Sequence, residues 1–484
     1  MFVIGVLGFV GTVSAAIIPN FFPFLDPTGV VSTYNVNGAI DTSNAFFQSL
    51  GTNGRTCATC HVAGNAFGLS VGNINARFLS THGRDPLFAD VDGANCPNAA
   101  PNDPSAHSVL LQNGLIRVAL QVPAEAQFQI RAIRDPYGCA IVTDSASGQE
   151  TVSVYRRPLP STNLSVLSAV MFDGRETIAP LNDPKTFQAN LVTDLKHQVV
   201  DATLGHAQAT TPPTPDQQTA IVNFELGLFS AQAFDNRAGL LSADGAKGGP
   251  LNLDHQNYYP GINDSLGMDP NGNAFSPKAF TLFEAWAANS TAPYMTAAAR
   301  RAISAGEHIF NTHLLTITSV RGLNDNAVLG NPPPTSFTGT CTTCHDTPNV
   351  GDHSLPLPLD IGTGHDLGNE ADPQIATGLL QLSGPDLPVY EITGCPNPFA
   401  APGHSDDPYT IYTTDPGKAL ITGKCSDVNR IKGPILRGLA ARAPYFHNGA
   451  ARDLNELVNF YNQRFQMNLT DEEKSQLIAF LNSL

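Results

Sequence analysis

The sequence predicts a mainly α chain with long, loop-rich insertions and little β. Three observations lead there. Apolar residues recur at helical spacing in several segments, while no run of strand-type alternation is long enough to argue a large sheet. The 42 glycines and 37 prolines fill the intervals with turn signals. A length of 484 residues allows about three domains, or two enlarged ones. Hydrophobic residues make up 42%, but charged residues only 14%, where roughly 25% is typical. The 26 lysines and arginines against 42 acids leave a formal net charge of −16. No basic face is available to release counterions from a phosphate backbone, so nucleic acid is excluded as a generic partner.

Residues 1–18 form one uncharged apolar stretch ending in Val13-Ser14-Ala15-Ala16, the pattern of a secretory signal removed at about residue 16. At about 17 residues before Pro19 it is slightly short to span a bilayer, so membrane association is expected only if it stays uncleaved. Phe46, Phe47 and Leu50 predict a helix stopped by Gly51. Short hairpins are expected near 115–155. Phe187, Leu191, Leu195 and Val199 mark a helix, and Ile221, Phe224 and Leu228 another. Ala299, Ala302, Ile303, Gly306, Ile309 and Phe310 follow a 3.6-residue period. Asp453-Leu454-Asn455-Glu456 reads as a capping box for a helix with Leu457, Val458 and Tyr461 on its apolar face. Thr470 to Glu473 opens the last helix, with Leu477, Ile478 and Leu481.

The eight cysteines carry most of the chemistry. Cys57-Ala58-Thr59-Cys60-His61 and Cys341-Thr342-Thr343-Cys344-His345 are both C-x-x-C-H, the attachment signature of c-type haem. Two thiols add across the porphyrin vinyl groups, and the next residue supplies an imidazole to the iron. A thioredoxin-like pair needs a βαβ context, whereas these motifs sit in Gly/Thr/Asn-rich loops. A zinc site would leave both histidines unexplained. The motifs lie 284 residues apart, which indicates two cytochrome-c-like haem units, 17–290 and 291–484. Haem attachment outside the cytoplasm agrees with export to the periplasm. Cys96, Cys139, Cys395 and Cys425 occupy turn-rich segments of an oxidising compartment. Proximity favours Cys96–Cys139 and Cys395–Cys425 among three possible pairings.

Two C-x-x-C-H sites, Met171-Phe172-Asp173-Gly174-Arg175 between them, and Leu436-Arg437…Ala443-Pro444-Tyr445-Phe446-His447-Asn448-Gly449 after the second resemble the bacterial dihaem cytochrome c peroxidases and their MauG relatives. The resemblance covers the haem regions, the D-G-R turn and about the last 60 residues. It leaves roughly 90–165, 205–290 and 370–425 as insertions. It implies two covalently bound haems, a peroxide site at the N-terminal haem and electron uptake through the C-terminal one. A small cytochrome or a cupredoxin is the expected donor.

Carried onto this chain, the resemblance makes His61 and His345 the proximal ligands. A sixth ligand to the C-terminal haem falls at Tyr461, a MauG-like trait, with His447, Met467 and His353 as alternatives. Where the family usually has Trp between the haems, this chain has Phe172, which is too hard to oxidise to act as a hopping station. His206 is the expected proton shuttle and Gln198 the group that orients peroxide, with Glu176 as the rival shuttle. The carbonyls of Arg442 and Pro444 match an inter-haem calcium position. Two other readings stay open: a MauG-like oxidase of another molecule, and an electron carrier without a substrate site.

Overall fold

The computed structural model describes residues 16–100, 102–178, 186–288, 292–318, 320–326, 329–330, 332–364, 386–396 and 409–484. The expected export signal lies outside them, except for Ala16. Among the described residues no helix is long and apolar enough to cross a membrane.

The helices that frame the second half form where the periodicity places them. Tyr294–Thr312 buries Ile303, Ile309 and Phe310, and Asp471–Asn482 buries Leu477, Phe480 and Leu481. The two cross with Phe310 and Phe480 at 5.6 Å. Gly306 permits this approach, since a Cβ there would lie 2.0 Å from the Gln476 carbonyl oxygen. Thr470 and Glu473 close a capping box. Asp453 caps Leu454–Arg464 through the Glu456 N–H, but the Glu456 carboxylate reaches back to the Arg452 N–H instead.

In the first half, Leu191, Leu195 and Val199 of Phe187–Gly205 meet Ile221, Val222 and Phe224 of Pro215–Leu226 around Phe46 and Phe67. The helix expected at 46–50 shrinks to one 3₁₀ turn, Ala45–Phe47, after which Gln48 is extended. Tertiary contact overrides the local pattern here. Thr52 N–H donates to the Ala207 carbonyl at 3.0 Å, and a Cβ on Gly51 would lie 1.8 Å from that oxygen.

The mainly α expectation is corrected. Helix accounts for 31% and strand for 18%, and among the described residues the strands form five small sheets. The strands are short and their partners distant, so no long alternation marks them. Gly29–Asn35 pairs antiparallel with Leu228–Asp235. The hairpin region holds Ile116–Gln121, Ile141–Thr143 and Glu150–Arg156 in one sheet. Gln129–Arg134 instead pairs with Val389–Cys395, itself paired to Tyr409–Thr413, so one sheet draws strands from both halves of the chain. Tyr390, fully buried, ties these sheets together by donating to the Ser153 carbonyl at 2.5 Å. The disulfides are Cys96–Cys139 and Cys395–Cys425, as proximity favours.

Candidate functional site

Both C-x-x-C-H motifs fold alike. Thr56 and Thr340 each precede a 3₁₀ turn, Cys57–Thr59 and Cys341–Thr343, and donate their N–H to the Thr59 and Thr343 hydroxyls at 3.0 and 2.9 Å. The histidine then follows, with its N–H on the carbonyl of the first cysteine at 3.0 Å in both cases. His61 Nδ1 lies 3.3 Å from the Phe67 carbonyl and His345 Nδ1 2.9 Å from that of Gly351, each six residues on. A proton on Nδ1 is thereby held by a carbonyl, which leaves Nε2 free to ligate. Burial pushes both imidazoles down to about 4, so they are neutral donors. Burial likewise pushes the Cys60 thiol up to about 11.

Each motif opens on its own cavity, of ≈ 1630 Å³ at His61 and ≈ 1850 Å³ at His345, open mouths included. Haem fits these cavities on their donor sets. The paired thiols and the imidazole stand together, and buried cations face the space without a carboxylate partner to match each. Arg437, which lines the first cavity, keeps Nε and Nη1 without a partner and is pushed down to about 9, chiefly by burial. Arg442 lines both cavities and donates to the carbonyls of Ile435, Arg437 and Gly438. A haem brings two propionates, which supply the missing negative charge.

Gln198 and His206 both line the first cavity. His206 caps the Phe187–Gly205 helix, and its Nδ1 is hydrogen-bonded to Asp92, whose other oxygen is bonded by Arg55. Asp92 is buried. Burial works against its ionisation, but His206 and Arg55 outweigh it and hold the carboxyl below its usual range. Glu176 does not line either cavity. It is buried against His197, whose Nδ1 lies 2.7 Å away, with Arg175 Nε at 3.7 Å and Asp201 nearby.

Sequence reasoning missed Asp92, which lies 114 residues from its histidine, and Glu225. Glu225 lines the first cavity fully buried, with Oε2 unpartnered, and burial raises it to about 8. Its one sequence signal is a carboxyl beside Phe224 on an apolar stripe.

All four sixth-ligand candidates line the second cavity: Tyr461, His447, Met467 and His353. Tyr461 is packed among Phe446, Phe460 and Phe465 with ring centroids 5.4–6.1 Å away, and burial raises its phenol. His447 Nε2 is unpartnered, 3.4 Å from Asp415 Oδ2, and burial lowers the ring to about 4. Both nitrogens of buried His353 lack a hydrogen-bond partner, with Asp346 Oδ2 at 3.6 Å. Met467 is buried.

The cavities stand back to back. Residues 157–160, Phe172 and Arg442 line both. The wall is held by Arg156, which bonds Asp415 through two nitrogens at 2.7 and 2.9 Å and also Asp173 of the D-G-R turn. At this wall the Arg442 carbonyl, one of the two expected calcium positions, accepts from Arg157 Nη2 at 2.9 Å. Pro444 lines the second cavity.

No protein-family model matches the chain. It is 30% identical over 158 residues to cytochrome-c peroxidase IdrP2 of Denitromonas iodatirespirans, covering 30% of this chain and 36% of that protein. To cytochrome-c peroxidase IdrP1 of Pseudomonas sp. (strain SCT) it is 29% identical over 155 residues, covering 30% and 36%. To cytochrome c551 peroxidase of Nitrosomonas europaea it is 35% identical over 79 residues, covering 16% and 23%. The matched part thus spans about a third of the length of the first two relatives and less of the last. Among solved structures, a MauG-like protein associated with microbial copper homeostasis aligns at 14% identity over 72% of this chain and 79% of that one, with a TM-score of 0.28. A dihaem peroxidase variant from Burkholderia thailandensis aligns at 14% identity over 97% and 94%, also at 0.28. These low scores establish no shared overall fold. Two attachment motifs folded alike, each on its own cavity and each with the donors that haem c takes, stand beside partial matches to cytochrome-c peroxidases, and it is these dihaem peroxidases that the chain is similar to.

Proposed function

We propose that the chain is a periplasmic dihaem peroxidase. It reduces hydrogen peroxide in the His61 cavity with electrons received through the His345 cavity from a small cytochrome or cupredoxin. The carrying observation is the division of residues: His206, Asp92 and Gln198 line the first cavity and not the second, whereas Tyr461, His447, Met467 and His353 line only the second.

The reaction is H₂O₂ + 2e⁻ + 2H⁺ → 2H₂O. Haem, when bound, supplies an iron that exchanges single electrons, tuned by its axial ligands. The protein must move a proton from one peroxide oxygen to the other. His206 is fitted for this, because Asp92 fixes a proton on Nδ1 and leaves Nε2 as the atom that takes and returns another. Gln198 holds peroxide by hydrogen bonds without exchanging protons. Leu167, Leu195 and Val199 keep that part of the cavity apolar, so few waters compete. Tyr461 in the second cavity supports a MauG-like oxidase of another molecule as the alternative.

Three expectations test this reading. A pyridine haemochrome assay should return two haems per chain, neither extractable with acidified ketone. One haem, or extractable haem, overturns the dihaem count. Steady-state turnover of H₂O₂ with a reduced cytochrome should be measurable, and a protein low-spin at both haems in both redox states, without turnover, is a carrier. Tyr461→Phe should change the ferric spectrum of the C-terminal haem alone. An unchanged spectrum there passes the ligand role to His447, Met467 or His353, to be read by the same substitution series.

A further inference from the structure

We propose that the guanidinium of Arg157 is the resident cation of the wall between the two cavities, so that the protein works without calcium. The geometry around this side chain is that of a cation site built from backbone oxygens. Arg157 is 7% exposed. Its Nη1 lies 3.2 Å from both the Asn113 and the Gly114 carbonyl oxygens. Its Nη2 donates to the carbonyls of Leu69 and Arg442, the latter at 2.9 Å. Four carbonyls thus converge on one positive charge. They come from three segments far apart in sequence: the loop after the first C-x-x-C-H motif, the end of the Ser108–Asn113 helix, and the stretch before Pro444.

Gly114 shows that the cage is shaped to the side chain. Its φ is +64°, and a Cβ there would lie 1.9 Å from Arg157 Nη1. Carbonyl oxygens are the ligands a calcium ion takes, but calcium needs six to eight oxygens, with carboxylates commonly among them. Among the described residues no carboxylate bonds this guanidinium, and its shift down to about 9 comes from burial first and from Arg442 second. A divalent ion on the Arg442 carbonyl would stand beside a fixed positive charge, with the Arg442 guanidinium close enough to add to the repulsion. The Arg157 backbone N–H also donates to the His447 carbonyl at 2.6 Å, which ties the cage to the P-Y-F-H-N-G loop.

This inference rests on the dihaem reading only for what lies on either side of the wall. Arg157 lines both cavities, so its charge acts on both haems as a positioning and electrostatic group.

The first test uses the holoprotein. Metal analysis by mass spectrometry should find well under one calcium per chain. Treatment with EGTA and then titration with CaCl₂ should leave the optical and EPR spectra and the calorimetric baseline unchanged. Stoichiometric calcium whose removal alters the spectrum overturns the proposal, whether or not the protein reduces peroxide. The second test is substitution. Arg157→Met should shift both haem reduction potentials downward, since a positive charge beside each is lost, and Arg157→Lys should restore most of the shift. Unmoved potentials in a folded Arg157→Met protein also overturn it. Should that variant fail to fold, the calcium measurement decides alone.

Discussion

Replacing His206 by Ala is expected to slow peroxide reduction by about 10²-fold or more, with both haems still attached. The imidazole lies in the His61 cavity, and its Nδ1 is fixed by a buried carboxylate that Arg55 holds in place. That pairing sets which nitrogen carries the proton. Asp92→Asn should therefore also lose rate, by less than His206→Ala, because an amide still orients the ring but no longer fixes by charge which nitrogen carries the proton. Glu176→Gln is expected to leave the rate within a few-fold, since Glu176 bonds His197 and lines neither cavity. Stopped-flow reaction with peroxide, with haem content confirmed for each variant, reads all three. Full reactivity in His206→Ala with a loss of 10²-fold in Glu176→Gln would reverse the assignment.

Removing Arg156 should cost about 3–5 kcal/mol of stability, the loss usual when one partner of a buried ion pair is deleted. Arg156 is 2% exposed and serves two buried carboxylates, Asp173 and Asp415. Arg156→Met would leave Asp415 with the Gly417 N–H at 2.8 Å and His447 Nε2 at 3.4 Å but no cation of its own, and Asp173 with the Arg175 N–H and Nη1 at 3.1 and 3.2 Å. The pH dependence has a definite sign. Burial would raise Asp173, but Arg156 and Arg175 more than offset it, holding the folded carboxyl at about 2 against 3.8 unpaired. A depressed carboxyl contributes stability that is complete above the unfolded value. This contribution is lost as pH falls from about 4 through about 2. Urea midpoints across that window should fall in the native protein. In Arg156→Met the window should flatten or invert, because protonation then relieves a buried charge. A variant within 1 kcal/mol of the native protein at neutral pH would show that the clamp is dispensable.

What the sequence made legible was local or covalent. The two C-x-x-C-H motifs place His61 and His345 within one turn of the paired thiols, and the disulfides follow from spacings of 43 and 30 residues. The terminal helices carry their own caps. The sheets were not legible, because a strand such as Gly29–Asn35 finds its partner some 200 residues later. Gly-Val-Val-Ser-Thr-Tyr-Asn and Glu-Thr-Val-Ser-Val-Tyr-Arg are rich in β-branched residues, but are buried along most of their length and show no clean alternation. The helix before the first motif failed because the Gly51–Ala207 approach decides that backbone. Asp92 was invisible for the same reason: nothing near it in sequence announces a histidine partner.

The sheet that draws Gln129–Arg134 and Val389–Cys395 together has a consequence for how such a protein can be taken apart. A gene cut between the two motifs would leave each fragment with a raw strand edge, a template for pairing with other chains. Tyr390 would also lose the carbonyls of Ala140 and Ser153 that its hydroxyl now meets. The two halves of the chain are therefore not interchangeable cassettes. Each half carries part of the other's stitching, and a hinge opening between them would have to unzip main-chain hydrogen bonds along that seam.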